Sequence, residues 1–134
     1  MAVMNPDKIL YTATSDIHLK TFHIPYLKWL KAQGLEVHLA VEKRGDVDLS
    51  FCDAVHYLPF KRSPLHVKNL TNLMALKRLM DQHAYRLIHC HTPTVSVLTR
   101  LAAFFSRSKG AAILYTAHGF HFYKGAPWYL WALY

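Results

Sequence analysis

Two short apolar runs, Leu87-Ile88 and Ala112-Ile113-Leu114, each lead straight into a turn that carries histidine. The first continues as His89-Cys90-His91-Thr92-Pro93. The second continues as Tyr115-Thr116-Ala117-His118-Gly119-Phe120-His121-Phe122-Tyr123-Lys124-Gly125-Ala126-Pro127. Apolar runs bounded by turn residues read as strands buried inside a parallel sheet. Histidine at both exits gathers polar groups along one edge of that sheet. In α/β proteins this is the edge where ligands bind and react.

The rest of the chain alternates in the same way. Residues 8–12 read as a first strand. Leu19, Phe22, Tyr26, Leu27 and Leu30 then recur at helical spacing, with Lys20, Lys28 and Lys31 on the other side. Pro25 marks the first turn of that helix or a kink in it, and Gly34 ends it. Residues 36–41 read as a second strand, 43–53 as a charged loop, and 54–58 as a third strand closed by Pro59. A helix over about 65–82 is expected to be amphipathic through Leu70, Leu73, Met74, Lys77 and Met80. Residues 86–90 form the fourth strand. Thr92 is placed to cap a third helix, with Pro93 at its first position. That helix runs to about residue 106 and is expected to bury Val97, Leu98, Leu101 and Phe105. Residues 112–116 make the fifth strand.

Strands and helices alternating at this spacing predict an α/β fold, a doubly wound parallel sheet of order 3-2-1-4-5. Its switch point falls between strands one and four. The 134 residues make one domain. Trp128 to Tyr134 is mostly apolar and shows no helix cap, polar tail or sixth strand. The single domain, 1–134, therefore reads as truncated inside a helix.

The formal net charge is +8, and Asp81 is the last acidic residue. Arg86, Arg100, Arg107, Lys109 and Lys124 follow it unopposed. This balance fits an anionic partner: nucleic acid, a phospholipid surface or a phosphorylated substrate. No apolar run approaches the ~18–20 residues of a membrane span. The first eight residues lack the apolar core of a signal peptide, so a cytoplasmic location is expected. Cys52 and Cys90 are the only cysteines, too few for a disulfide framework, and both read as reduced thiols.

Three strand ends should converge on one edge. The first supplies Thr12, Thr14, Ser15, Asp16 and His18, the fourth His91 and Thr92, and the fifth His118, Gly119 and His121. Gly119 would let backbone amides approach a ligand. Helix N-termini at Thr92 and near Ala126 would favour an anion. His89 and His38 read as structural residues, while His91 and His118 divide evenly between structure and function. His-x-His and His-x-x-His can supply neutral nitrogens to a metal. The nearest carboxylate is Asp16, however, and Cys90 should point into the sheet, so the site is read as metal-free. The aromatic stretch from Phe120 to Tyr134 reads as core lacking its partner, or else as a membrane-facing surface, and the chain is expected to self-associate. The loop after strand one, Thr12-Ala13-Thr14-Ser15-Asp16-Ile17, contains no glycine. A dinucleotide fingerprint is thereby excluded, and NAD and FAD with it; the P-loop pattern is also absent.

These motifs, together with Phe22-His23-Ile24-Pro25-Tyr26-Leu27-Lys28-Trp29-Leu30, Gly34-Leu35-Glu36-Val37-His38 and Pro59-Phe60-Lys61-Arg62-Ser63-Pro64, carry a family likeness. Over nearly all of residues 8–134 the chain resembles the N-terminal half of family-4 glycosyltransferases of the GT-B fold. The branch is the one that builds bacterial capsular and exopolysaccharides. The resemblance implies a Rossmann-like acceptor-side domain facing a second domain that binds the nucleotide-sugar. It implies retention of anomeric configuration, no cofactor and no metal. The partners it implies are a nucleotide-sugar donor and a lipid-linked saccharide acceptor, without nucleic acid, at the inner face of the cell membrane.

On this resemblance His118 is the catalytic residue contacting the transferred sugar. Thr14, Ser15, Asp16, His91, Thr92, Gly119, His121 and Lys124 are the substrate-binding candidates. Two departures stand out. Relatives carry glycines after strand one that approach the donor phosphates, and this chain has none. The only glutamates are Glu36 and Glu42, so the Glu-x7-Glu pair of the donor domain is absent from this sequence. Two further readings remain open: one subunit of a split two-chain glycosyltransferase, and a non-catalytic basic α/β module that binds a phosphorylated ligand.

Overall fold

The computed structural model describes residues 7–106, 110–118 and 124–129. Five strands and four helices follow in order: β1 (Lys8–Ser15), α1 (Asp16–Phe22), α2 (Ile24–Ala32), β2 (Glu36–Glu42), β3 (Ala54–Tyr57), α3 (Val67–Gln82), β4 (Tyr85–His91), α4 (Pro93–Phe105) and β5 (Ala112–Thr116). The strands form one sheet of order β3-β2-β1-β4-β5, and every pairing is parallel. The doubly wound topology expected from the alternation is the one observed.

Each face of the sheet carries its own core, because successive side chains on a strand point to opposite sides. Leu10, Ile88 and Phe60 pack with Leu76, Met80, Val95 and Leu98 on the side of α3 and α4. Ile9, Tyr11, Val37 and Leu39 pack with Leu19, Leu27 and Leu30 on the side of α1 and α2. A buried hydroxyl pair, Thr12 Oγ1 to Thr99 Oγ1 at 2.9 Å, ties β1 to α4. Lys31 Nζ meets Asp53 at 2.6 Å, and Asp53 also accepts from the Val37 N–H at 2.7 Å. That carboxylate fastens α2 and the β3 approach to β2.

The helical segment around Pro25 is two helices rather than one. Proline lacks an N–H and sits comfortably only in a first turn. Accordingly α1 ends at Phe22, His23 lies between the helices, and Pro25 occupies the opening turn of α2. Gly34, at φ +80°, ends the segment in the left-handed conformation.

Two helix faces are corrected. In α3 the buried positions are Asn69, Asn72, Leu76, Leu79 and Met80, while Leu70 and Met74 are exposed. In α4 the buried positions are Thr94, Val95, Ser96, Leu98, Thr99 and Ala102, while Val97, Leu101 and Phe105 are exposed. In both cases polar side chains that bond the neighbouring backbone or strand turn inward. Of the apolar positions expected inside, Met80 and Leu98 are buried and Leu73 packs half-buried against the core, so the periodicity was right for part of each face only. Cys90 is buried and Cys52 half-buried, and both are free thiols.

Candidate functional site

The carboxyl ends of β1, β4 and β5 bring five histidines together on the α1/α2 side of the sheet. His91 closes β4, and His118 follows β5 by two residues. His91 Nδ1 and His118 Nε2 are 2.9 Å apart and share one proton. Whichever ring carries that proton, the second nitrogen of His118 takes the opposite role toward a ligand. Tyr11 stacks under His91 at 4.4 Å between ring centroids. His23 packs at 4.3 Å from His91 and 4.8 Å from His118. His23 Nδ1 is bonded to Tyr11 Oη at 2.7 Å, and His23 Nε2 lies 3.3 Å from His18 Nε2.

Burial keeps these rings neutral. His23 is held down to about 4, first by burial and then by the neighbouring His18, His118 and His89. His91 is 1% exposed and is depressed further still, by burial first and then by His89, His23, His118 and His18. His18 and His89 are lowered for the same two reasons, burial and then His118. His18, His23, His89 and His91 are therefore uncharged donors and acceptors at neutral pH, suited to sugar hydroxyls. His91 Nε2 is buried without a hydrogen-bond partner among the described residues. Such an orphan costs about 1–3 kcal/mol, and native structures seldom keep one idle.

The backbone at the cluster is strained. Thr92 has φ 65° and ψ 139°, a region that β-branched residues avoid. Thr92 starts α4 as expected, but its hydroxyl caps nothing. It donates to the His91 carbonyl and accepts from Thr14 Oγ1 at 2.7 Å. The turn thus locks β1 to β4 directly beside His91.

The other candidates fall in different places. Ser15 caps α1, accepting from the His18 N–H at 3.3 Å. Asp16 was expected to face substrate, but it is 1% exposed and turned inward. Its carboxylate accepts from the backbone N–H groups of Ile17, Arg44 and Gly45. Lys124 is exposed and has no described bond to the cluster. Gly119 and His121 lie outside the described residues. His38 is structural as read, bonded to Tyr85 Oη and Glu36 Oε1, each at 2.8 Å. His89 bonds Thr116 Oγ1 at 2.8 Å and lies beside Tyr11 and Tyr26.

His23 carried a signal that the pattern of strand ends misses. It sits two residues before Pro25, so the helix break turns it inward. Together with His18 and His118 it offers ring nitrogens within 4.8 Å of one another, a set able to hold a zinc-like ion. The sequence reading assigned no metal here.

Thr14, Ser15 and His18 also line a cavity of about 440 Å³, together with Arg44, Arg62, Pro93 and Thr94. His18 therefore belongs to both the histidine cluster and this cavity. The fold and the site define a doubly wound α/β domain with a histidine cluster and an adjoining cavity at the switch point of its sheet, the place where folds of this class bind ligands.

The chain belongs to the family described as Glycosyl transferase 4-like, which matches residues 8–131. It is 49% identical over 127 residues to the Bacillus subtilis (strain 168) protein named "Putative glycosyltransferase EpsD". That match covers 95% of this chain and 33% of the relative, so the chain spans about a third of the relative's length.

Proposed function

We propose that this chain is the acceptor-side half of a retaining glycosyltransferase. It moves a sugar from a nucleotide-sugar to a growing, lipid-linked bacterial surface polysaccharide. The observation that carries this reading is the His91–His118 bond at the carboxyl edge, next to His18 and the cavity of about 440 Å³. The length of the relative supports a donor-binding domain supplied elsewhere in the full protein. A name of the Eps series on that relative supports the exopolysaccharide branch.

Retaining transfer develops oxocarbenium charge on the sugar and negative charge on the departing phosphate. Positioning and electrostatic stabilisation supply most of such a reduction in barrier. An imidazole with one nitrogen fixed by a buried neighbour, as His118 is by His91, can hold one sugar hydroxyl in a single orientation. Thr14 and Thr92 add hydroxyls to the same edge. The basic run after Asp81 supports contact with an anionic membrane face. Among the described residues no helix is long and apolar enough to cross a membrane. The exposed Ile113, Leu114 and Tyr115 of β5, with Phe104 and Phe105, support burial of this side against further protein.

The test is transfer by the full-length protein and by this chain alone. The full-length protein should turn over and the isolated chain should not, because half a cleft cannot exclude water or orient a leaving group. His118→Ala in the full-length protein should lower kcat by roughly two orders of magnitude or more, with an unchanged melting curve. Turnover by the chain alone, or wild-type turnover by the variant, would overturn the reading.

A further inference from the structure

We propose that Arg44 and Arg62 form the binding site for a diphosphate ester, deepening the acceptor-side reading on which it rests. The two arginines stand on different loops, and the structure holds each loop by buried polar side chains. Asp16 fixes the first: its carboxylate takes the Arg44 N–H at 3.0 Å and the Gly45 N–H at 3.1 Å. A fully buried Asp is uncommon unless its charge is met, and here backbone N–H groups meet it.

The second loop is anchored more heavily. Phe60 is fully buried in the α3/α4 core. Asn69, 1% exposed, accepts from the Lys61 N–H and donates to the Lys61 and Ser63 carbonyls at 3.0 and 2.7 Å. Asn72 donates to the Pro59 carbonyl at 3.0 Å. Thr94 donates to the carbonyl of Arg62 itself. This is the reason α3 turns two asparagines inward and leaves Leu70 and Met74 outside.

Both clamped loops deliver a guanidinium to one cavity. Its remaining lining is three hydroxyl residues, an imidazole and one proline: Thr14, Ser15, Thr94, His18 and Pro93. A volume of about 440 Å³ lies within the range of ligand sites, roughly 300–1,000 Å³. Glu42 engages Nε of Arg44, which orients the group and leaves its terminal nitrogens. The Arg62 side chain has no partner among the described residues. Two forked cations match phosphate oxygens, which a planar guanidinium meets bidentately, and the Ser15 hydroxyl, an acceptor from the His18 N–H, keeps its proton to donate. The histidine cluster adjoins through His18. A diphosphate in the cavity therefore places the sugar it carries, or the sugar it receives, within reach of His118.

The test is calorimetric titration of the chain with inorganic pyrophosphate, farnesyl diphosphate and UDP. Pyrophosphate should bind, more weakly as salt rises. Arg62→Ala and Arg44→Ala should each weaken binding about tenfold or more, and Arg62→Lys should weaken it less. Arg78→Ala, on the exposed side of α3, should change nothing. If the arginine variants weaken farnesyl diphosphate but not UDP, the diphosphate belongs to the acceptor; the reverse assigns it to the donor. No pyrophosphate binding, or equal binding by both folded arginine variants, would overturn the proposal. These titrations need no turnover, so their failure is separable from failure of the transferase reading.

Discussion

His91 Nδ1 and His118 Nε2 lie 2.9 Å apart, joining the last residue of β4 to the turn after β5. His91 is buried and His118 exposed, so the bond passes a fixed orientation from the sheet to a ring open to a ligand. The adjacent strands make this possible. His91 pairs in register with Thr116, and the chain then needs only two residues to bring His118 back over it.

This makes His91 a positioning residue, with a measurable consequence. In the full-length enzyme His91→Phe should lower kcat by roughly one to two orders of magnitude, and the pH profile of kcat should shift as His118 loses its partner. A double-mutant cycle should show that His91→Phe costs little once His118 is already alanine. Additive losses would mean the two rings act separately. His89→Ala should instead act on stability, by about 0.5–1.5 kcal/mol, through loss of its solvent-exposed bond to Thr116.

The neutral histidines set a pH dependence of stability. His23 titrates at about 4 in the fold, and His91 is lowered further, against about 6.5 in the unfolded chain. Between these values the unfolded chain binds protons that the folded chain refuses. Stability is thus fully present above about pH 6.5 and is lost as pH falls toward 4, by at most about 1.4 kcal/mol per pH unit for each such ring. Melting temperatures should be flat above neutrality and fall below it. His23→Gln should flatten the fall; an unchanged slope would remove His23 from the account.

Asn69 should matter to stability far more than its place in a helix implies. Asn69→Ala strips partners from the Lys61 N–H and from two carbonyls of the Arg62 loop. We expect a loss of about 2–3 kcal/mol, near the upper end for unmet buried polar groups. Leu70→Ala, next to it but exposed, should cost under about 0.5 kcal/mol. Urea titration of the two variants checks the contrast, and equal losses would show that the apolar stripe is the true inner face.

The order of the sheet and the gathering of histidines at its carboxyl edge were legible in the chain. The inner strands β1, β2 and β4 are largely buried, and β5 is apolar too although it lies exposed at the sheet edge rather than buried as expected, so each announces itself locally as an apolar run, and the turn residues at each exit mark the edge. Leu87-Ile88 before His91 and Ala112-Ile113-Leu114 before His118 needed no tertiary information. Pro25 likewise announced a break, because a missing N–H is a property of the residue itself. Which way a polar side chain turns is different in kind. Asp16 looked like a ligand group until the Arg44 loop added two backbone N–H groups to that of Ile17. Asn69 and Asn72 carry no local signal of burial; they turn inward because the 58–66 segment takes their amides. His18 and His23 come beside His118 only when α1 and α2 pack on the sheet. The sequence by itself determined the repeating units and their order, since burial on a strand is a local pattern. Only the tertiary structure decided the partners of the buried polar groups, since a hydrogen bond between residues distant in sequence exists only after the chain has folded.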